Sequence, residues 1–181
     1  DPLHGEQEGR FFHGYYDCYC YLPLYIFCGQ HLLCARLRPS NIDGCAGWQD
    51  ELPRIVEAAR KRFPNARIIV RADSGFCRDE LMKWCEDNQV SYVLGLARNE
   101  RLEAQIAPHL EKARQASQAS RAAERCFVGF PWRTLNSWSA QRRVVAKAEW
   151  LPATSSDGDE GKDGKANARF VVTNIDKETL S

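Results

Sequence analysis

One carboxylate, that of Asp73, stands out as a group that could do chemistry. It follows the β-branched run 68–70 and comes directly before Ser74 and Gly75, which are typical turn residues. The run predicts a strand buried on both faces, and residues 77–88 predict an amphipathic helix after it. An acid at the carboxyl end of a central strand lies where open α/β sheets bind ligands. That position suits a divalent-metal ligand or a general base, although an Asp there is also a common helix cap.

Length and composition place the chain among ordinary globular proteins. It has 181 residues, of which 44% are hydrophobic and 27% charged, and this is enough for one sizeable core. The formal net charge is only +1, so a nucleic-acid surface would have to be a local patch. No apolar run is long enough to span a bilayer and no secretory signal opens the sequence, which predicts a cytoplasmic protein. The first residue is not Met, and we therefore expect a fragment of a longer protein or a processed chain.

The eight cysteines raise the question of a zinc site or a disulfide framework. None of them forms a C-x-x-C pair, and no His lies at zinc-finger spacing. Most of them occupy apolar strand or helix patterns, where a free Cys behaves as a small hydrophobic residue. The sequence therefore predicts reduced, buried thiols.

The first two thirds of the chain alternate strand and helix patterns. The predicted elements around the Asp73 strand are strands over 15–28 and 31–38, helices over 48–63 and 77–88, a strand over 90–96 and a helix over 99–123. The first two strands, joined at Gly29 and Gln30, predict an antiparallel hairpin. We expect residues 15–123 to form a mixed sheet with helices against it, which is an α/β fold.

The pattern becomes strand-rich after Arg125. Residues 126–130, 142–150 and 169–175 predict strands, and residues 152–168 predict a flexible loop rich in Gly and charge. We therefore expect two domains, an α/β core over 1–125 and a β-rich segment over 126–181.

Cations and tryptophans alternate between residues 121 and 150. This stretch has six cationic side chains against two acidic ones, which leaves +4, and it holds Trp132, Trp138 and Trp150. Cations that neutralise phosphates and aromatic rings that stack on bases predict a nucleic-acid surface. Composition alone leaves open the alternative of a solvated ribbon whose tryptophans pack in the core.

Four sequence blocks together carry a family resemblance. In chain order they are HGEQEGRFFHGYYDCYCYLPLYIFCG, RADSGF, YVLGLARN and WRTLNSWSAQRRVVAKAEWLP. The chain resembles the DDE transposases of bacterial insertion sequences, in the branch called transposase DDE domain group 1. The resemblance implies a ribonuclease-H-like mixed sheet flanked by helices, with a β-rich insertion toward the carboxyl end and with the first strand truncated here.

The resemblance also implies metal-dependent phosphoryl transfer on DNA. Such enzymes hold two divalent ions, Mg²⁺ or Mn²⁺, on an Asp, a second Asp and a Glu. The motif match makes Asp73 the second Asp, and hence a catalytic residue and a metal ligand. The D-x-T context of the first Asp and the Y-x-x-R-x-x-x-E context of the Glu do not occur here. We therefore expect this chain to be inactive by itself.

The implied partner is double-stranded DNA at the transposon ends. A homodimer of the complete protein, and association with the bacterial nucleoid when DNA is bound, follow from the same resemblance. The expected DNA contacts are Arg133, Arg142, Arg143, Lys147, Trp132 and Trp138.

Two other functions remain open at this stage. The chain could be a remnant that binds DNA or dimerises without chemistry. It could also be an unrelated α/β phosphohydrolase that uses Asp73 alone. A hydrolase should bring a nucleophile or a phosphate-binding Gly loop to that position, where only Ser74 and Gly75 occur.

Overall fold

The structure is a computed structural model that describes residues 8–153 and 164–176. The chain divides into two compact units, residues 1–68 and residues 69–181. This division differs from the boundary expected between residues 125 and 126. Because the strands after residue 125 pair with strands before it, the second unit continues across that position.

The first unit contains two small antiparallel sheets and one helix. Its elements are β1 (Phe11–His13), β2 (Cys18–Cys20), β3 (Leu24–Cys28), β4 (His31–Arg36) and α1 (Trp48–Arg62). β1 pairs with β2, and β3 pairs with β4, which confirms the predicted hairpin. The predicted helix over 48–63 is confirmed as α1, which buries Trp48, Leu52 and Val56 at helical spacing.

The second unit is a six-stranded sheet with two α-helices. Its elements are β5 (Ile69–Ala72), a 3₁₀ turn (Ser74–Phe76), α2 (Asp79–Asp87), β6 (Ser91–Leu96), α3 (Glu100–Ser120), β7 (Glu124–Trp132), β8 (Arg142–Leu151), β9 (Lys165–Ala166) and β10 (Arg169–Thr173). The strand order is β5-β6-β10-β8-β7, and β9 pairs with β8. β5 is parallel to β6, whereas β10 is antiparallel to both β6 and β8, so the sheet is mixed as predicted.

One face of this sheet forms the core. Along β6, Tyr92 and Leu94 are buried, and on the paired strands Val172 and Val144 occupy the same face. α3 packs against β7 and β8. The side chain of Asn99 caps α3 by accepting a hydrogen bond from the backbone N–H of Leu102 at 3.0 Å, which satisfies one free donor of its first turn.

The expectation that residues 15–123 form the mixed sheet is wrong. Among the described strands before residue 123, only β5 and β6 belong to the six-stranded sheet, and the other four members follow residue 123. The late strands alternate apolar and polar residues, so they bury one face against α3 and use β6 as a lateral neighbour.

β5 is not buried on both faces as predicted. Its burial alternates, and Ile69 is 44% exposed. β5 lies at one end of the described strand order, with β6 as its neighbour, so a β-branched run here does not indicate a central strand.

The predicted loop over 152–168 lies mostly outside the described residues. Its last part forms β9. The prediction of free thiols is confirmed for all eight cysteines, but only Cys20, Cys34, Cys45 and Cys85 are buried and Cys28 is exposed.

Candidate functional site

Asp73 lies where the sequence placed it, directly after β5 and exposed to solvent. It also acts as a cap, because its Oδ1 accepts a hydrogen bond from the backbone N–H of Gly75 at 2.9 Å. This contact confirms the cap interpretation, whereas the metal-ligand or general-base interpretation stays a prediction. Among the described residues, its second carboxylate oxygen has no hydrogen-bond partner and stays available to a ligand.

A complete metal site is not formed by the part of the chain that the structure describes. No group of three His, Cys, Asp or Glu side chains lies close enough there to hold an ion. The exposed carboxylate of Asp73 suits one ligand of a divalent cation, and such cations usually need further carboxylates or phosphates. The described residues fit a part of the implied site and not the whole.

Arg142 is a buried cation at the start of β8, and two acids of α2 neutralise it. Its Nη1 donates to Asp79 Oδ1 at 2.6 Å, its Nε donates to Glu86 Oε1 at 2.7 Å, and its Nη2 donates to Glu86 Oε2 at 3.1 Å. Tyr92 donates its hydroxyl proton to Glu86 Oε1 at 2.7 Å. This group of four side chains, the Arg142 cluster, links α2 to the sheet.

The ionisation of the Arg142 cluster follows from these contacts. Burial alone would lower the pKa of Arg142, but Glu86 and Asp79 raise the pKa above its ordinary value. Burial would raise the pKa of Asp79, yet hydrogen bonds from Ser139 and Arg142 outweigh it and hold that pKa below the ordinary 3.8. Arg142 is therefore a charged structural residue whose donors are used within the fold, and this geometry disfavours the predicted contact with DNA phosphate.

Two of the three tryptophans of the basic stretch also belong to the interior. Trp138 is 3% exposed and its ring lies 5.8 Å from the Arg142 guanidinium. Trp132 is 8% exposed, and the guanidinium of Arg101 covers its ring at 4.6 Å. A base cannot stack on a ring face that is already covered, so the geometry favours the core alternative for both residues.

Trp132 lines a cleft of about 530 Å³ at the amino end of α3. Its indole nitrogen is buried and has no hydrogen-bond partner among the described residues. Arg101 and Glu100 of α3 line the same cleft, together with residues 134–137. Because an acid and a cation occupy it together, the cleft shows no clear charge preference.

The remaining predicted DNA contacts keep part of their surface exposed. Arg133 is exposed, and its Nε donates to the carbonyl of Trp138 at 3.0 Å. Arg143 donates to the carbonyl of Ile175, and Lys147 bonds to Glu149. Both Arg143 and Lys147 are half-buried on the second face of the sheet, opposite Arg142.

Two further cations lie on that second face. Lys147 pairs laterally with Arg169 of β10, and Glu149 pairs laterally with Arg125 of β7. Directly opposed residues in antiparallel strands share a face. We call Arg125, Arg143, Lys147 and Arg169 the basic face.

The sequence by itself could have predicted which face of the sheet Arg142 and Arg143 each occupy. In RRVVAKAEW, alternate positions from Arg142 carry Val144, Ala146 and Ala148, whereas alternate positions from Arg143 carry Lys147. The period of two therefore assigns Arg142 to the apolar face. Arg169 lies outside residues 121–150, the stretch whose net charge of +4 predicted a nucleic-acid surface.

An acid at the exposed end of a strand, in a mixed sheet with helices, is consistent with an α/β domain of the ribonuclease-H-like class. The family model for transposase DDE domain group 1 matches residues 1–181, so the chain belongs to that family. This confirms the resemblance and the fold class, and it supports a transposase-type function. No curated protein shows a significant match to the chain. Within the described ranges, no helix has the length and apolar character needed to cross a bilayer.

Proposed function

We propose that this chain is the central part of a DDE transposase catalytic domain and that Asp73 is the second of its three acids. The observation that carries this proposal is the exposed carboxylate at the carboxyl end of β5, within the RADSGF block. Hydrogen bonds within the turn fix the backbone around Asp73, and one of the two carboxylate oxygens of Asp73 stays available to a ligand. Family membership supports the same chemistry and leaves no support for an unrelated phosphohydrolase.

Divalent metal ions are the general cofactor of this family, and we propose Mg²⁺ or Mn²⁺ for the complete site. When bound, they would polarise the phosphate undergoing transfer. Asp73 would supply one ligand. The other acids would have to come from outside the described set, because no group of three potential ligands forms within it.

The test of Asp73 uses the complete gene product and a substrate with a transposon end. Asp73→Asn should abolish strand cleavage and leave DNA binding intact, because the amide keeps the shape but loses the charge. Asp87→Asn is the matched control, since Asp87 is an exposed acid at the end of α2. Retained cleavage in Asp73→Asn would remove Asp73 from the catalytic set.

We propose that double-stranded DNA binds along the basic face. Four cations share this surface with one carboxylate, Glu149, so the local charge is positive although the chain is nearly neutral. Lys147 and Arg169 are like charges directly opposite each other, a pairing that destabilises a sheet, and Glu149 neutralises Lys147 whereas Arg169 has no anion of its own among the described residues. A phosphate backbone would supply that anion. Arg133 could add a contact from the loop after β7.

A non-catalytic role for the chain by itself is the second candidate, because its described residues hold one potential acid of the site. This role predicts that the isolated chain binds DNA, or forms a homodimer, without cleaving at any Mn²⁺ concentration. Cleavage by the isolated chain would exclude it. Either function requires DNA, which in a bacterium lies in the cytoplasm and nucleoid.

A further inference from the structure

We propose that Gly95 is a positioning residue for Asp73, and this proposal rests on the proposed function. Gly95 lies in β6, one residue after Leu94, which pairs with Ala72 at the end of β5. A Cβ atom added to Gly95 would lie 2.9 Å from the backbone nitrogen of Ser74 and 3.1 Å from the carbonyl carbon of Asp73. The Asp73–Ser74 peptide therefore rests directly on the bare backbone of β6.

The need for glycine here is one of space and not of backbone conformation. Gly95 is absent from the residues with positive φ, so other residues could adopt its backbone angles. A glycine inside a strand, where it is otherwise unfavourable, commonly marks a close approach of another backbone. The atoms that a Cβ at position 95 would approach belong to the main chain of the turn over residues 73–77. Main-chain atoms cannot rotate away as the end of a flexible side chain can.

Contacts before, within and after the turn over residues 73–77 hold it in place, so its backbone has little freedom to move. Before it, β5 is tied to β6 by parallel pairing. Within it, Asp73 accepts from Gly75 at 2.9 Å, and the N–H of Cys77 donates to the carbonyl of Ser74 at 3.2 Å. After it, Asp79 accepts from Arg142 and from the N–H of Ser139 at 2.9 Å. A side chain at position 95 must push the Asp73–Ser74 peptide outward, and the carboxylate moves with it.

The test compares Gly95→Ala with Gly129→Ala, the same change in another strand of the same sheet. A Cβ on Gly129 would meet only ordinary contacts, the nearest being the Arg143 Nε at 3.5 Å. In the isolated chain, Gly95→Ala should shift the NMR amide signals of residues 73–77, and Gly129→Ala should not. In the complete gene product, Gly95→Ala should lower the cleavage rate at saturating DNA about 100-fold, the order expected for a displacement near 1 Å. Its affinity for the transposon end should stay unchanged.

The split between binding and cleavage separates positioning from folding. Unchanged turn signals or a wild-type cleavage rate in Gly95→Ala would overturn the proposal. So would a parallel loss of binding and cleavage, which is the result of less folded protein. If Asp73→Asn retains cleavage, the proposed function fails and the positioning role fails with it, whatever Gly95→Ala does.

A second variant covers the case in which Gly95→Ala does not fold. A Cβ on Gly75 would lie 3.0 Å from Asp73 Oδ1, so Gly75→Ala displaces the same carboxylate without touching β6. A large fall in the cleavage rate of Gly75→Ala, with intact DNA affinity, would support the proposal that cleavage depends on the carboxylate position that Gly95 sets for Asp73. A folded Gly75→Ala protein with the wild-type rate would overturn it.

Discussion

Arg142 and Arg143 are consecutive residues of β8, yet they lie on opposite faces of the sheet in different surroundings. The Arg142 side chain is 4% exposed and is held by two acids of α2. Arg143 is half-buried on the basic face, and it donates to the carbonyl of Ile175, which carries no charge. One guanidinium is neutralised within the fold, and the other adds to a positive surface.

This difference shows why a count of charges along a segment is a poor guide to a binding surface. Both arginines contribute equally to the local +4 of residues 121–150. Only the alternation of the strand separates the one that stabilises the fold from the one that a phosphate could reach. Substitutions on the two faces should therefore differ in their effect on the free energy of unfolding.

The largest effect is expected for Arg142→Met. It removes the buried guanidinium and leaves Asp79 and Glu86, whose side chains are 21% and 34% exposed, without their cation. Because water reaches both acids in part, we expect a loss near the lower end of the range of about 3–5 kcal/mol for breaking a buried pair. Urea unfolding of the isolated chain measures it. Arg143→Met is the control and should cost less than about 1 kcal/mol. Equal losses for the two variants would remove the distinction between the faces.

Trp138→Ala should follow, with a loss of about 3 kcal/mol, because the ring is buried and a cavity would replace it. Leu135→Ala, in the same loop but at a residue that is 76% exposed, should change stability by less than about 0.5 kcal/mol. The salt dependence of DNA binding should not change in Trp138→Ala. A stable variant with weakened DNA binding would restore the stacking role.

The loss of the Asp79 charge should have a smaller effect on the free energy of unfolding than either of these two substitutions. Its pKa in the folded chain lies below the ordinary 3.8, so its stabilising effect is present above that value and is lost as the pH falls through the lower folded pKa. The wild type should therefore exceed Asp79→Asn in free energy of unfolding at pH 6, by about 1.5–3 kcal/mol. The difference should shrink below pH 3.8. A difference for Asp79→Asn that stays constant across this pH range would contradict the contribution of its charge.

The double change Arg143→Gln and Arg169→Gln should affect stability least and DNA binding most clearly, because neither cation is paired with a carboxylate of the described residues. Each lost phosphate contact lowers the log–log slope of affinity against salt by about one unit, so the pair should flatten it by roughly two. Lys112→Gln with Arg114→Gln makes the same charge change on α3. A slope flattened equally by this control would mean that net charge, and not the basic face, governs binding.

Several features of the chain could be predicted because they depend on neighbours in sequence. The β3–β4 hairpin, α1 and the position of Asp73 after a strand all follow from local periodicity and turn residues. The capping of the turn by Asp73 was also foreseeable, since the contact with Gly75 spans two residues.

Other features were decided by contacts between residues far apart in the chain. Arg142 contacts Glu86, which is 56 positions away in the sequence, and no local pattern predicts that an acid will lie beside this arginine. The place of β5 at one end of the strand order depends on which strands pair, as does the joining of β7, β8 and β10 to β6. The space under the Asp73–Ser74 peptide is a property of Gly95, more than twenty residues later.

By itself, then, the sequence determined the elements, the family blocks and the acid that ends β5, because backbone propensity and side-chain period act over a few residues. Only the tertiary structure decided which cations are neutralised, which tryptophans are covered and which glycine lies under the Asp73–Ser74 peptide. The physical reason is that burial and close approach depend on what packs against a residue, and for Arg142 and Gly95 those partners are brought close only by the assembled sheet.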